Sequence, residues 1–91
     1  MIRKVKIRVS GRVQGVFFRK SAKKTANEHG VLGTVKNLGD GRVEIIAQAE
    51  EARLQPFIDW CHKGPIAAKV GHVEVIELAV EVGEFAAFNI L

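Results

Sequence analysis

Between Lys4 and Val9, basic and apolar residues alternate one for one, with Val5, Ile7 and Val9 set against Lys4, Lys6 and Arg8. A period of two marks a strand with one face buried. The period breaks over Gly11–Phe17. From Phe18, the small or apolar positions Ala22, Thr25, Ala26 and His29 recur at helical spacing, while Lys20, Lys23 and Lys24 lie mostly elsewhere. Gly30 supplies a stop, so a helix is predicted over Phe18–His29. Val31–Asn37 and Arg42–Ala49 predict a second and a third strand, the latter with Val43, Ile45 and Ala47 on one face. Leu38-Gly39-Asp40-Gly41 between them has the turn chemistry of a hairpin.

A second helix is marked by Leu54, Phe57, Ile58 and Cys61 at i, i+3, i+4 and i+7. Pro56 lacks the amide donor needed inside a helix, so this helix is expected to begin near Glu51–Arg53. Gly64-Pro65 closes it. Lys69–Val80 predicts a long fourth strand, and Glu84–Leu91 a short final one with Phe88 and Ile90 on one face.

The order is β-α-β-β-α-β with an extra C-terminal strand. Split βαβ units of this kind build an α+β, ferredoxin-like sandwich, here expected as an antiparallel sheet with two helices on one face. The handedness of crossovers makes the first and second strands run the same way, with the third between them. Their ends then emerge at one sheet edge, two strand spacings or roughly 10 Å apart. Loop Gly11–Phe17 and Asn37 are thereby brought to a common place. The same topology is expected to finish the last strand near Arg19, where the terminal carboxylate of Leu91 would pair with that arginine when the site is empty.

At 91 residues, 47% apolar and 26% charged, the chain reads as one foldable domain spanning 1–91. The lone Cys61 provides neither an intramolecular disulfide framework nor a metal cluster, and suits a reduced, cytoplasmic protein. The first residues contain no apolar run of signal-peptide type, and no segment approaches the roughly 20 apolar residues that span a bilayer. The formal net charge of +4 favours anionic partners without choosing among them.

Candidate chemistry concentrates in Gly11-Arg12-Val13-Gln14-Gly15-Val16-Phe17-Phe18-Arg19. A glycine-containing loop that feeds a helix leaves several N–H groups without intrahelical partners, at the positive end of the helix dipole. Gly15 allows successive amides to turn inward as an anion nest, and Arg19 adds a planar fork matched to phosphate oxygens. The competing reading is a plain strand-to-helix turn with a surface arginine; a cation in the first turn is slightly unfavourable with the dipole. The loop is not a nucleotide P-loop, because that motif needs lysine directly after its second glycine. Asn37 likewise has two readings, as a turn-closing side chain or as a partner of the loop. The three histidines lack ligand spacing, and Ser10, Ser21 and Cys61 have no evident activating partner. Cys61, at an apolar helical position, reads as a small core residue.

Together these residues carry a resemblance. Val9-Ser10-Gly11-Arg12-Val13-Gln14-Gly15-Val16-Phe17-Phe18-Arg19 resembles the first signature of the acylphosphatase family, and Lys36-Asn37 followed by Gly41-Arg42-Val43 resembles the second. Length, element order and the Gly64-Pro65 segment extend it over essentially the whole chain. Thr34 stands where the family usually has an aromatic residue, Ala49 where it usually has glycine, and Phe17 where glycine is frequent.

The resemblance implies hydrolysis of the carboxyl–phosphate bond of small acyl phosphates, with no metal and no organic cofactor. By matching position, Arg19 would bind the phosphoryl group with the amides of Gln14, Gly15, Val16, Phe17, Phe18 and Arg19. Asn37 would hold the attacking water. The chain is also expected to be a monomer with no nucleic-acid or membrane partner. Two other readings stand beside it. One is a phosphate- or acyl phosphate-binding module with little or no turnover. The other is an RNA-binding ferredoxin-like domain, which needs exposed aromatics on its central strands. Here Lys4, Lys6, Arg8, Glu44 and Gln48 occupy the outward positions and the chain has no tyrosine.

Overall fold

A computed structural model of the chain describes residues 1–91. Five strands and two helices follow in the order β1 (Ile2–Arg12), α1 (Phe18–His29), β2 (Leu32–Asn37), β3 (Val43–Glu50), α2 (Glu51–Lys63), β4 (Lys69–Leu78) and β5 (Phe88–Ile90). The sheet order is β4-β1-β3-β2-β5. β3 is antiparallel to both β1 and β2, which therefore run the same way on either side of it. This is the arrangement expected of a ferredoxin-like sandwich.

One feature of the expected sheet is corrected. It is mixed rather than wholly antiparallel, because β5 runs parallel to β2 in the register Gly33↔Phe88, Thr34↔Asn89, Val35↔Ile90. The cause is the path of the chain. β4 runs antiparallel to β1 and ends with Leu78 beside Lys4, at the end of the sheet where β1 starts. Residues 79–87 then cross to the opposite edge, so β5 begins at that end and can only follow the direction of β2. The final strand is also shorter than Glu84–Leu91. Glu84 is engaged in an ion pair with Lys4 at 2.7 Å, and the Ala87 carbonyl accepts the N–H of Gly33 at 3.0 Å. Gly33, at φ +143°, also lets β2 lie close against β3: a Cβ there would lie 1.7 Å from the Ile46 carbonyl oxygen.

Val5, Ile7 and Val9 of β1, Val43, Ile45 and Ala47 of β3, and Val35 of β2 are buried against Phe18, Ala22 and Ala26 of α1 and Leu54, Phe57, Ile58 and Cys61 of α2. A row of aromatic rings ties the layers together. Phe18 meets Trp60 at 5.3 Å between centroids, Trp60 meets Phe57 at 6.2 Å, and Phe57 meets Phe88 of β5 edge-on at 5.8 Å. Burial holds the Cys61 thiol protonated by pushing its pKa up. α2 begins at Glu51, the early limit that Pro56 required, and the proline lies on its exposed side. There water reaches the carbonyl that a helical N–H would otherwise occupy.

Lys4, Lys6 and Arg8 face away from the helices, as their alternation with the core residues requires. Their face is not wholly open, however. Lys4 and Gln48 at its far end are buried, and Glu84 of the 79–87 segment reaches Lys4 there. No helix is long and apolar enough to cross a membrane.

Candidate active site

The segment between β1 and α1 is pinned to the core at two points, since Val13 and Val16 are both buried. Between and beyond these pins the backbone turns left-handed, at Gly15 (φ 75°) and again at Phe17 (φ 63°). At Gly15 a Cβ would meet nothing within 4 Å, so it is the dihedral and not space that calls for glycine there. Phe17 is the N-cap of α1 and offers no side-chain cap, and the first turn carries no acidic residue. The main-chain N–H groups of Gln14, Gly15, Val16 and Phe17 donate to no acceptor in the chain. The first amides of α1 have no intrahelical partner by construction. A run of unpaired donors and a helix dipole thus share one small loop.

Arg19, half-buried in the first turn, forms no ion pair with any aspartate or glutamate. Its Nη1 donates a long hydrogen bond, 3.4 Å, to the carbonyl oxygen of Leu91, so the final residues do reach the arginine as the topology implied. Other cations near this edge are already matched: Lys36 lies 3.8 Å and Arg8 3.0 Å from Glu44, and Arg42 lies 2.7 Å from Asp40. Arg19 and its neighbour Lys20 have no such partner.

Asn37 ends β2 opposite Val43. Its side chain is exposed and hydrogen-bonds nothing in the chain, so it does not close the turn that follows. That work is done by two other residues. Asp40 Oδ1 accepts the N–H of Arg42 at 3.1 Å, and this bond, helped by the Arg42 guanidinium, holds the Asp40 carboxyl below its usual range. From the other side, Gln14 Nε2 donates to the carbonyls of Leu38 at 2.8 Å and Arg42 at 2.9 Å. Each of those carbonyls also takes a main-chain N–H within the turn, Gly41 to Leu38 and Leu38 to Arg42.

Loop and hairpin enclose a cavity of about 340 Å³, walled by Gly15, Phe17, Arg19, Lys20, Asn37 and Ile90 above Val13 and Phe18. No carboxylate lines it. Of the residues singled out from the sequence, Gly15, Phe17, Phe18, Arg19 and Asn37 are brought together here. The Val16 side chain is instead in the core and the Gln14 side chain turns to the hairpin, and neither residue lines the cavity. The departures at Thr34 and Ala49 lie off the cavity, Thr34 opposite Ile46 on the sheet face away from the helices and Ala49 opposite Arg3 at the far end of β3. Sequence reasoning missed the Gln14 clamp, Lys20 as a rim residue and Ile90 as a wall. Ile90 depends on the pairing of β5 with β2, for which no local pattern signals. No grouping of three or more His, Cys, Asp or Glu side chains could hold a metal ion.

A family model described as acylphosphatase matches residues 5–90. An acylphosphatase of Methylococcus capsulatus is 43% identical over 90 residues, covering 99% of this chain and 97% of that protein. Two solved structures share the fold. An acylphosphatase from Coxiella burnetii superposes with a TM-score of 0.92 at 38% identity, covering 99% of this chain and 93% of that one. The acylphosphatase from Bacillus subtilis gives a TM-score of 0.92 at 38% identity, covering 100% and 99%. Matched along nearly its whole length in both sequence and fold, the chain belongs to the acylphosphatase family.

Proposed function

We propose that this protein hydrolyses the carboxyl–phosphate bond of acyl phosphates, with Arg19 and the amides of Gln14–Arg19 holding the phosphoryl group and Asn37 holding the water. The observation that carries the reading is the facing of two sets of unused groups across one cavity. On one side stand unpaired loop N–H groups and an arginine with no aspartate or glutamate partner; on the other stands an asparagine whose side chain hydrogen-bonds nothing in the chain.

The chemistry suits that inventory. Water attacks phosphorus, the new O–P bond forms, and the carboxylate departs with the electrons of the old P–O bond. A carboxylate is a weak base, so it leaves without a general acid, and no carboxyl or imidazole lines the cavity to act as one. The water's proton passes to a phosphoryl oxygen of the substrate itself. The transition state is loose and spreads charge over the equatorial oxygens, so catalysis reduces to cradling those oxygens and holding the water in line. Amides and guanidinium do the first, and the Asn37 side-chain carbonyl, accepting a hydrogen bond from the water, does the second. We infer that no metal ion or organic cofactor takes part, since cations and amides of the chain already face the anion. A cytoplasmic monomer is the setting its one buried cysteine fits best.

The decisive assay is release of phosphate from acetyl phosphate and benzoyl phosphate in EDTA. Wild type is expected to turn over both. Arg19→Ala is expected to lower kcat/KM about a hundredfold or more. Asn37→Ala is expected to lower kcat by a similar factor while inorganic phosphate still binds. A wild type that binds phosphate and hydrolyses nothing would establish the binding-module reading instead. Tight, salt-sensitive RNA binding without hydrolysis would favour the third.

A further inference from the structure

The site has a part that the phosphoryl group does not use. A cavity of about 340 Å³ is of a size that takes small organic ligands, and a phosphoryl group fills only its polar side. The remaining walls are Phe17 and Ile90, which are 77% and 41% exposed. Phe17 is the one aromatic ring among the large exposed apolar side chains, and it stacks on no other ring. It also stands at φ 63°, ψ 26°, a left-handed conformation disfavoured for a bulky residue. Neither packing nor backbone comfort explains a phenylalanine there. A bulky residue kept in a strained conformation beside a site points to a role in that site.

Resting on the acyl phosphate reading above, we propose that Phe17 and Ile90 form the acyl subsite and that the enzyme selects acyl phosphates with apolar acyl groups, aromatic or branched. With the phosphoryl group in the loop, the bridging oxygen and then the acyl carbon lie outward of it, and the ring of Phe17 rises from the same loop. An apolar acyl group covers Phe17 and Ile90 and removes their surface from water; a methyl group covers little of it. Lys20 also stands at the cavity, so an acyl group ending in a carboxylate is the competing occupant.

The test compares kcat/KM for acetyl, butyryl, succinyl and benzoyl phosphate in wild type, Phe17→Asn and Ile90→Thr. Asparagine tolerates the left-handed backbone, and threonine keeps the strand propensity of β5, so both variants preserve the fold. Differences in intrinsic reactivity between substrates cancel when the benzoyl-to-acetyl ratio is compared between proteins. That ratio is expected to fall roughly tenfold in Phe17→Asn and several-fold in Ile90→Thr, chiefly through KM. A ratio unchanged in both variants, or a wild-type preference for succinyl over butyryl phosphate, would overturn the proposal. Calorimetric binding of benzoylphosphonate against inorganic phosphate gives an arm independent of turnover. Phe17→Asn is expected to weaken the phosphonate about tenfold relative to phosphate. Turnover without this discrimination removes the acyl subsite and leaves the enzymatic reading intact; discrimination without turnover does the reverse.

Discussion

Gln14 and Asn37, borne on different elements, are joined through a single residue: the side-chain amide of Gln14 donates to the carbonyl of Leu38, the neighbour of Asn37, at 2.8 Å. A second bond to Arg42 at 2.9 Å grips the other limb of the same turn. The loop that would bind the phosphoryl group therefore sets the position of the residue that would hold the water.

Gln14→Met keeps the length and shape of the side chain and removes both bonds. Leu38 and Arg42 each retain one main-chain donor, so the stability loss is expected to be about 1–2 kcal/mol by urea unfolding. The activity loss is expected to fall on kcat, about tenfold or more, because misplacing a positioned water is costly. In an Asn37→Ala background the same change is expected to cost little further activity. Additive losses in the double variant would show that Gln14 supports the fold alone.

Phe17→Gly is expected to raise stability while harming the choice of substrate. The ring is mostly solvent-exposed, so little packing is lost, and glycine relieves the left-handed strain at φ 63°. The net gain is expected at about 1 kcal/mol, read as an increase of several degrees in Tm.

Lys4 and Glu84 form a pair of unequal burial, 8% and 32% exposed, at 2.7 Å. Glu84→Gln leaves an ammonium beneath the 79–87 segment without a counter-charge, whereas Lys4→Met leaves a carboxylate that can turn to water. Glu84→Gln is therefore expected to be the more damaging single change, by about 1–2 kcal/mol, with Lys4→Met/Glu84→Gln recovering part of the loss. Chemical denaturation of the four proteins measures the cycle.

Two carboxyl groups titrate below their ordinary values. Hydrogen bonding to Arg3 lowers Glu77 from 4.5, and the main-chain N–H of Arg42 lowers Asp40 from 3.8. A depressed folded-state pKa gives stability that is complete above the unfolded value and lost as pH falls through the folded one. Tm is thus expected to hold steady above pH 4.5 and to decline below about pH 4. Asp40→Asn combined with Glu77→Gln is expected to flatten part of that decline. Both groups are at the surface, so high salt is expected to shrink the effect.

How much of this was legible beforehand follows from the range of the forces involved. α1 was legible to the residue, because Phe18, Ala22 and Ala26 at helical spacing and Gly30 at the stop act within a few residues of one another. The meeting of the loop with Asn37 was legible too, since the handedness of a crossover needs only the order of elements. The pairing of β5 with β2 was not. It depends on where 79–87 crosses the sheet, and the anchor there joins Lys4 to Glu84, residues 80 positions apart. The same holds for the Gln14 side chain, whose partners are the main-chain carbonyls of Leu38 and Arg42. A carbonyl is present at every residue and so leaves no mark in the sequence.

β5 is only three residues long, yet it carries Ile90 to the cavity and Phe88 to the end of the aromatic row that includes Trp60. During synthesis it leaves the ribosome after every other element. The nascent chain can therefore own the loop, the arginine and the asparagine and still lack one wall of its pocket. Completion of the site is expected to wait for that wall, and indole fluorescence is expected to settle when it arrives.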